Sequence, residues 1–173
     1  GEGRDRKTEI GEFGQVSALH VALANQKLYV NRKEGFLGTG MKKEEYLFDV
    51  SEYDDLIVFK ADGSFKVVKV SDKDFVGKNI VLVEKFNKDD ERHIYNVIHQ
   101  DGREGTAYIK RFNVGGVTRD KDYFMGKNKP GSRLLYLSSN MNGEAEVVEV
   151  TLKPRPRTKL NFEVDFSTIE VKG

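Results

Sequence analysis

The chain has 173 residues, of which 38% are hydrophobic and 33% charged, so it is long enough for one domain, or two small ones, with a real core. It contains no cysteine, which excludes disulfides, thiolate metal sites and a cysteine nucleophile. The formal net charge is +1, so net charge alone does not indicate a nucleic-acid-binding protein. No apolar run approaches the roughly 18 residues of a membrane span, and we expect a cytoplasmic protein without membrane contact.

The first residues differ in composition from the rest of the chain. Residues 1–9 are mostly charged or glycine and cannot form a core, so they are interpreted as a linker or cloning remnant within a longer chain. Residues 10–173 are expected to form a single domain. Helical spacing of alanine and leucine over residues 16–25 predicts one short helix.

Strand patterns dominate the remaining sequence. Runs rich in β-branched and aromatic residues predict strands at residues 28–30, 56–59, 65–70, 80–83, 94–98, 134–137 and 147–152, and alternating apolar residues predict another at 162–166. Pro154 and Pro156 interrupt the basic stretch 153–159 and exclude a central strand there. The turn dipeptides Asp62-Gly63, Asp101-Gly102 and Asn142-Gly143 predict three β-hairpins.

Two sequence elements recur along the chain. Turn glycines follow strands at Gly35, Gly63, Gly102 and Gly143, the last two steps being about 40 residues, which is the length of a four-stranded propeller blade. A Phe-x-Gly element recurs out of phase with them at residues 36–38, 75–77 and 124–126, and the last two copies continue with Lys-Asn. The repetition predicts three complete or nearly complete blades and a fourth from the chain ends.

Residues suited to catalysis or metal binding form no convincing site. His93 and His99 are six residues apart on one predicted strand, roughly 20 Å, too far to share a metal ion. The acidic pairs Asp54-Asp55 and Asp89-Asp90 could bind Mg²⁺, but their position before strands favours turn and capping roles. Phosphate-loop, dinucleotide-binding and hydrolase motifs are absent from the sequence. Enzyme activity is therefore not expected of this segment by itself.

Basic residues are concentrated in the second half of the chain. Residues 101–133 carry twice as many basic as acidic residues, whereas residues 41–62 have an acidic excess. Clustered cations on a β-surface can neutralise the phosphates of a nucleic acid, and the alternative is a solvated surface with no ligand.

Several stretches resemble the C-terminal domain of type IIA topoisomerase A subunits, most closely the topoisomerase IV type of Bacteroidetes-like bacteria. They are KLYVNRKEGFLGT (residues 27–39), Tyr95-Asn96, YIKRFN (108–113), VTRD (117–120) and NGEAEVV (142–148). The resemblance implies an all-β pinwheel, a propeller-like disc of about four four-stranded blades that exchange strands. Exchange would explain why the two repeated elements are out of phase.

The resemblance also implies a function, an accessory domain that binds and bends duplex DNA and contributes to selecting crossings or supercoils during ATP-dependent changes of DNA topology. The DNA-binding residues expected are Arg32, Lys33, Lys42, Lys43, Lys78, Lys110, Arg111, Arg119 and Lys127. The implied partners are duplex DNA, the topoisomerase B subunit, and the N-terminal cleavage domain of the same subunit, in a cytoplasmic, nucleoid-associated enzyme. No cofactor is expected in this domain, since other parts of the holoenzyme would use ATP and Mg²⁺.

The sequence departs from the gyrase pattern at one place. Gyrase A subunits carry a Gln-Arg-Arg-Gly-Gly-Lys/Arg-Gly box just before a Gly-x-x-Gly-Thr element. Here residues 35–39 match the second element, but the preceding positions keep only Arg32 and Lys33 and introduce Glu34. This departure favours substrate discrimination in relaxation or decatenation over DNA wrapping with negative supercoiling. The alternative function is a protein-interaction propeller that docks on the catalytic core or a regulator through acidic patches such as Asp54-Asp55.

Overall fold

The structure is a computed structural model that describes residues 25–103, 105, 107–127, 129–141, 143–151 and 161–172. The predicted linker (1–9), the predicted helix except for its last residue, and the proline-bearing stretch 153–159 lie outside the described residues. Within those described, no helix is long and apolar enough to cross a membrane.

Fourteen strands and one 3-10 turn make up the regular structure of the described residues. The strands are β1 (Gln26–Asn31), β2 (Phe36–Gly38), β3 (Glu45–Val50), β4 (Asp55–Lys60), β5 (Ser64–Lys69), β6 (Asp74–Phe75), β7 (Ile80–Phe86), β8 (Ile94–Gln100), β9 (Ala107–Phe112), β10 (Tyr123–Phe124), β11 (Arg133–Asn140), β12 (Val147–Thr151), β13 (Asn161–Asp165) and β14 (Val171–Lys172). The 3-10 turn, Phe166–Thr168, follows β13 directly, so the strand predicted at residues 162–166 ends one residue early. This turn is capped by Asp165, whose carboxylate accepts the Ser167 N–H at 3.0 Å.

The chain divides into two compact units. Of the described residues, unit 1 comprises those up to Val58 together with Lys66–Phe86, and unit 2 comprises Phe59–Phe65 and those from Asn87 onward. The hairpin of β4 and β5 contributes its base to unit 1 and its tip to unit 2. The prediction of a single domain for residues 10–173 stays a prediction.

Unit 1 contains a four-stranded sheet in the order β3-β1-β2-β6, with antiparallel pairing throughout. Alternation along β1 buries Leu28 and Val30 and exposes or half-exposes their neighbours. These two side chains pack with Leu37, Val50 and Val76 in the core of the unit. Each such side chain contributes about 1.5–3 kcal/mol when fully buried, which fixes the register of the sheet.

Unit 2 contains a four-stranded sheet in the order β11-β8-β9-β14 and a two-stranded sheet of β12 and β13. Strand β14 is the exception to antiparallel pairing, because Val171 and Lys172 run parallel to Arg111 and Phe112 of β9. Val164 and the fully buried Phe166 pack with Ile98 in the core here.

Short strands are exchanged between successive hairpins. Strand β6 follows the β4–β5 hairpin in sequence but pairs with β2, and β10 follows β8 and β9 but pairs with the tip of β5. The two junctions repeat in detail, since Val76 N–H donates to the Gly35 carbonyl at 2.8 Å and Met125 N–H donates to the Gly63 carbonyl at 2.9 Å. The all-β prediction with exchanged strands is confirmed, and the described residues form three four-stranded sheets and one of two strands.

The predicted repeat differs from the structure in its details. Asn142, in the hairpin predicted at residues 142–143, lies outside the described residues, and the strands on either side of it pair elsewhere, β11 with β8 and β12 with β13. Residues 36–38 are not a third copy of the Phe-x-Gly element but the strand that receives it, since Phe36 pairs with Phe75. Short glycine-anchored matches cannot distinguish a donor strand from its acceptor, because both place glycine at a sharp change of chain direction.

Candidate nucleic-acid interface

In unit 1 the structure brings Lys33 and Lys78 to adjoining turns. Lys33 lies in the β1–β2 turn, and Lys78 follows the exchanged strand β6. The two turns are bonded backbone to backbone, by the Asn79 N–H to the Lys33 carbonyl (3.4 Å) and the Ile80 N–H to the Arg32 carbonyl (2.9 Å). Both lysine side chains are exposed. The chain therefore presents two lysines on neighbouring turns whose backbones are hydrogen-bonded to each other, an arrangement suited to adjacent phosphates.

Arg32 is held by the protein itself. Its guanidinium donates to the Glu45 carboxylate at 2.9 Å and to the Val81 carbonyl at 2.7 Å. The side-chain hydrogen bond from Arg32 lowers the pKa of Glu45. Because the negative charge of Glu45 offsets the positive charge of Arg32 in this partly exposed pair, Arg32 offers less net positive charge to a ligand than Lys33 does.

Lys42 and Lys43 line an open groove of about 530 Å³ together with Lys73, a cation that sequence reasoning missed. The loop bearing them is tied down where the Gly40 N–H donates to the Asp72 carbonyl at 2.8 Å. Lys73 lies with its Nζ 4.6 Å from the ring centre of Phe36. Lys42, Lys43 and Lys73 are all exposed, so the groove joins three cations to an aromatic face.

In unit 2, Lys127 occupies the position that Lys78 has in unit 1, directly after the glycine that ends the exchanged Phe-x-Gly element. Its backbone N–H donates to Asp101 Oδ2 at 3.3 Å, and Asp101 Oδ1 lies 3.1 Å from His99 Nδ1. Burial lowers the pKa of His99, helped by the nearby charge of Lys110 and opposed by Asp101, so the ring is neutral at pH 7. The exposed side chain of Lys127 thus projects from an anchored turn.

The other three predicted residues of unit 2 have different environments. Lys110 is half-buried and its Nζ donates to the Met125 carbonyl. Arg111 is buried, and its guanidinium donates to Asn96 Oδ1 and to the Gly143 carbonyl, both at 2.9 Å. Arg119 is exposed in the loop before β10. Arg111 is used within the protein, and the interface proposed below does not include it.

Asp54, Asp89 and Asp90 lie in turns, as their sequence context favoured, and Asp55 is the first residue of β4. Asp54 Oδ2 accepts the Ser51 N–H at 2.8 Å and lies 3.6 Å from Lys85 Nζ. Asp90 Oδ1 accepts the Arg92 N–H at 3.1 Å. Within the described part of the chain, no group of three or more histidine and acidic residues is placed to hold a metal ion.

Comparison with known proteins gives the chain its family. The model of the Bacteroidota topoisomerase C-terminal domain matches residues 27–173, so the chain belongs to that family. It is also 33% identical over 126 residues to the A subunit of DNA topoisomerase 4 from Borreliella burgdorferi. That match covers 71% of this chain and 20% of the relative, so the chain spans about a fifth of that protein's length. No solved structure matches the chain.

Proposed function

We propose that the chain is an accessory domain of a topoisomerase IV A subunit that binds duplex DNA through backbone phosphates and bends it. The observation that carries the proposal is the placing of exposed lysines at the exchanged-strand turns: Lys33 with Lys78 in unit 1, and Lys127 in unit 2. Lysines on turns that are held by hydrogen bonds can contact the phosphates of DNA without recognising the base sequence.

The parent enzyme, on this proposal, is a type II topoisomerase in which this domain contributes to choosing crossings or supercoils. The B subunit and the cleavage domain of the same polypeptide are its partners, and ATP and Mg²⁺ act in those other parts. The loss of the glycine pair before Gly35 favours relaxation or decatenation as the parent's activity. Bending a site of 20–30 base pairs costs about 1–6 kcal/mol, which several phosphate contacts can offset.

The test is to measure, by fluorescence anisotropy, the binding of the chain to a DNA duplex of several helical turns at a series of salt concentrations. The double variant Lys33→Glu/Lys78→Glu should bind more weakly and lower the slope of log K against log[salt] by about 2, one unit for each lost phosphate contact. The matched control is Lys69→Glu/Lys88→Glu, which changes the same net charge at two exposed lysines away from these turns. Equal slopes for the two double variants would contradict the proposed interface.

The alternative function, docking of a propeller on another protein through Asp54-Asp55, has weaker support. Asp54 accepts a hydrogen bond within its own turn and lies beside Lys85, so its carboxylate is less available to a partner. Binding of the intact chain to DNA at moderate salt separates the two functions, because the alternative expects none.

A further inference from the structure

Among the described residues, no exchanged strand pairs with the edge of β9 next to its hairpin turn, where the β1–β2 and β4–β5 hairpins each receive one. β2 and β5 accept the exchanged strands at the first residue after the turn, at Phe36 and Ser64. The first residue of β9 is Ala107, which lies opposite the last residue of β8. Among the described residues β9 has only β8 and β14 as neighbours, and β14 pairs at the far end of β9.

Exposure and backbone direction agree with an open edge. Tyr108 of β9 is 43% exposed, whereas Phe65 of the covered strand β5 is 8% exposed. The Asn113 N–H donates to the Lys172 carbonyl at 3.0 Å, so Asn113 faces the β14 side. Because the backbone groups of a strand alternate in direction, Ile109 and Ala107 direct their N–H and C=O groups to that same side.

A cleft of about 580 Å³ runs beside this edge within unit 2. Its lining is largely apolar and aromatic and includes Tyr108, Ile109, Phe112, Tyr123 and Met125. Lys110 and Lys172 add positive charge, against one acidic side chain, Glu170. The cleft therefore combines a strand edge with an apolar floor and a positive rim, which suits an extended segment that carries aromatic and acidic residues.

The chain itself shows what kind of segment occupies such an edge. Both exchanged strands carry Asp-Lys-Asp at their start: in DKDF (residues 72–75) the second Asp is the first residue of β6, and in DKDYF (120–124) the three residues lie just before β10. In the second, Asp122 pairs with Lys60 at the tip of the receiving hairpin, at 3.2 Å. In this exchanged strand, an acidic residue next to an aromatic one thus contacts the hairpin that receives the strand.

We infer that the open edge of β9, from Ala107 to Lys110, docks an extended acidic–aromatic segment of a partner polypeptide as an added antiparallel strand. Backbone hydrogen bonds to Ala107 and Ile109 supply the register, the cleft takes the aromatic side chain, and Lys110 and Lys172 attract the acidic residues. This surface shares no residue with the Lys33–Lys78 turns, and its occupation does not depend on DNA binding.

The probe is a fluorescent peptide with the sequence of residues 120–128, DKDYFMGKN, titrated with the intact chain in the absence of DNA. Saturable binding is expected, with at least about tenfold weaker binding of a scrambled peptide of the same composition. A peptide N-methylated at alternate backbone nitrogens should also bind about tenfold more weakly, because it loses donors to the β9 carbonyls. Absence of saturable binding, or equal binding of all three peptides, would overturn the inference.

Substitution of a residue at the β9 edge gives a second test of peptide binding. Ala107→Pro removes an edge-facing N–H at an exposed position and should weaken peptide binding about tenfold, whereas the control Ala107→Ser should change it less than about twofold. Circular dichroism checks that both variants fold, and if the proline variant does not, the N-methylated peptide decides on the unaltered chain. A concentration-dependent dimer in light scattering that excludes the peptide would overturn the inference in favour of a second copy of this chain.

Discussion

Alanine substitution at two glycines in equivalent turns distinguishes the energetic cost of backbone strain from the cost of disturbing an exchanged strand. Gly35 and Gly63 hold the same position in their hairpin turns, with φ of +84° and +88°. Alanine costs about 1–2 kcal/mol at such angles. At Gly63 a Cβ would meet nothing within 4 Å, so Gly63→Ala should cost only that strain. At Gly35 it would lie 2.3 Å from the Gly77 carbonyl carbon and 2.7 Å from the Lys78 nitrogen, both backbone atoms.

Because backbone atoms cannot rotate away, Gly35→Ala must displace the exchanged strand or the hairpin. Overpacking of this kind costs about 1–3 kcal/mol beyond the strain. For a chain of this size each kcal/mol lowers the melting temperature by about 2–4 °C, so Gly35→Ala should melt about 2–12 °C below Gly63→Ala. Thermal unfolding followed by circular dichroism measures the difference.

Amide hydrogen exchange then locates the damage. Val76 N–H, bonded to the Gly35 carbonyl, should exchange faster in Gly35→Ala, while Met125 N–H, bonded to the Gly63 carbonyl, should keep its protection in Gly63→Ala. Equal melting temperatures together with unchanged Val76 exchange would refute the argument that contact between Gly35 and the Gly77–Lys78 backbone locks the exchanged strand.

Three further predictions concern buried or half-buried polar groups. Arg111→Met should destabilise the chain by about 2–4 kcal/mol in urea unfolding, since two internal acceptors lose a charged donor, yet leave the salt slope of DNA binding unchanged. Burial lowers the pKa of His99 below its usual 6.5, so stability should fall as the pH drops below about 6.5, and His99→Gln should remove that loss. Burial of Glu146 acts to raise its pKa, but hydrogen bonds from groups that include Ser138 and Tyr136 outweigh burial and hold the pKa below 4.5. Stability from this carboxylate is therefore present above about pH 4.5 and lost on further acidification, and a urea titration of Glu146→Gln should show no such loss.

Among the strands that the sequence predicted, the most evident are those with continuous apolar runs. β4 is buried along most of its length and β8 along nearly all of it, and both stand out as clusters of β-branched and aromatic residues. β3 was missed because only its last residue is buried and because Glu45 and Asp49 interrupt its apolar pattern. β6, β10 and β14 have two residues each, too short for any periodicity, and exist only because another strand offers an edge to pair with.

The residues of the candidate site likewise divide into those that the sequence indicated and those that only the structure shows. Lys78, expected from the family resemblance, stands in the repeated Gly-Lys-Asn sequence, and the structure places its turn beside that of Lys33 because the exchanged strand ends there. Lys73 belongs to the Asp-Lys-Asp sequence found at the start of both exchanged strands, a repeat that can be recognised only once the two strands are known to be equivalent. Whether Lys110 or Arg111 faces inward depends on which residues of other strands and loops lie against each face of the sheet. Alternation along one strand cannot decide that.

Strand exchange also bears on how the proposed interface could bend DNA. A cation that contacts phosphate resists a bending force only as well as its backbone is anchored, and lysine side chains themselves are flexible. The turn that bears Lys78 is bonded to its neighbour through the amides of Val76, Asn79 and Ile80, all of which donate to the β1–β2 hairpin turn. Its position is therefore set by the hairpin that receives the strand, not by the hairpin from which the strand departs. An error in the exchange would move Lys78 relative to Lys33 without removing either charge. Gly35→Ala should accordingly weaken DNA binding while the net charge stays constant, a result that a purely electrostatic account of the interface does not give.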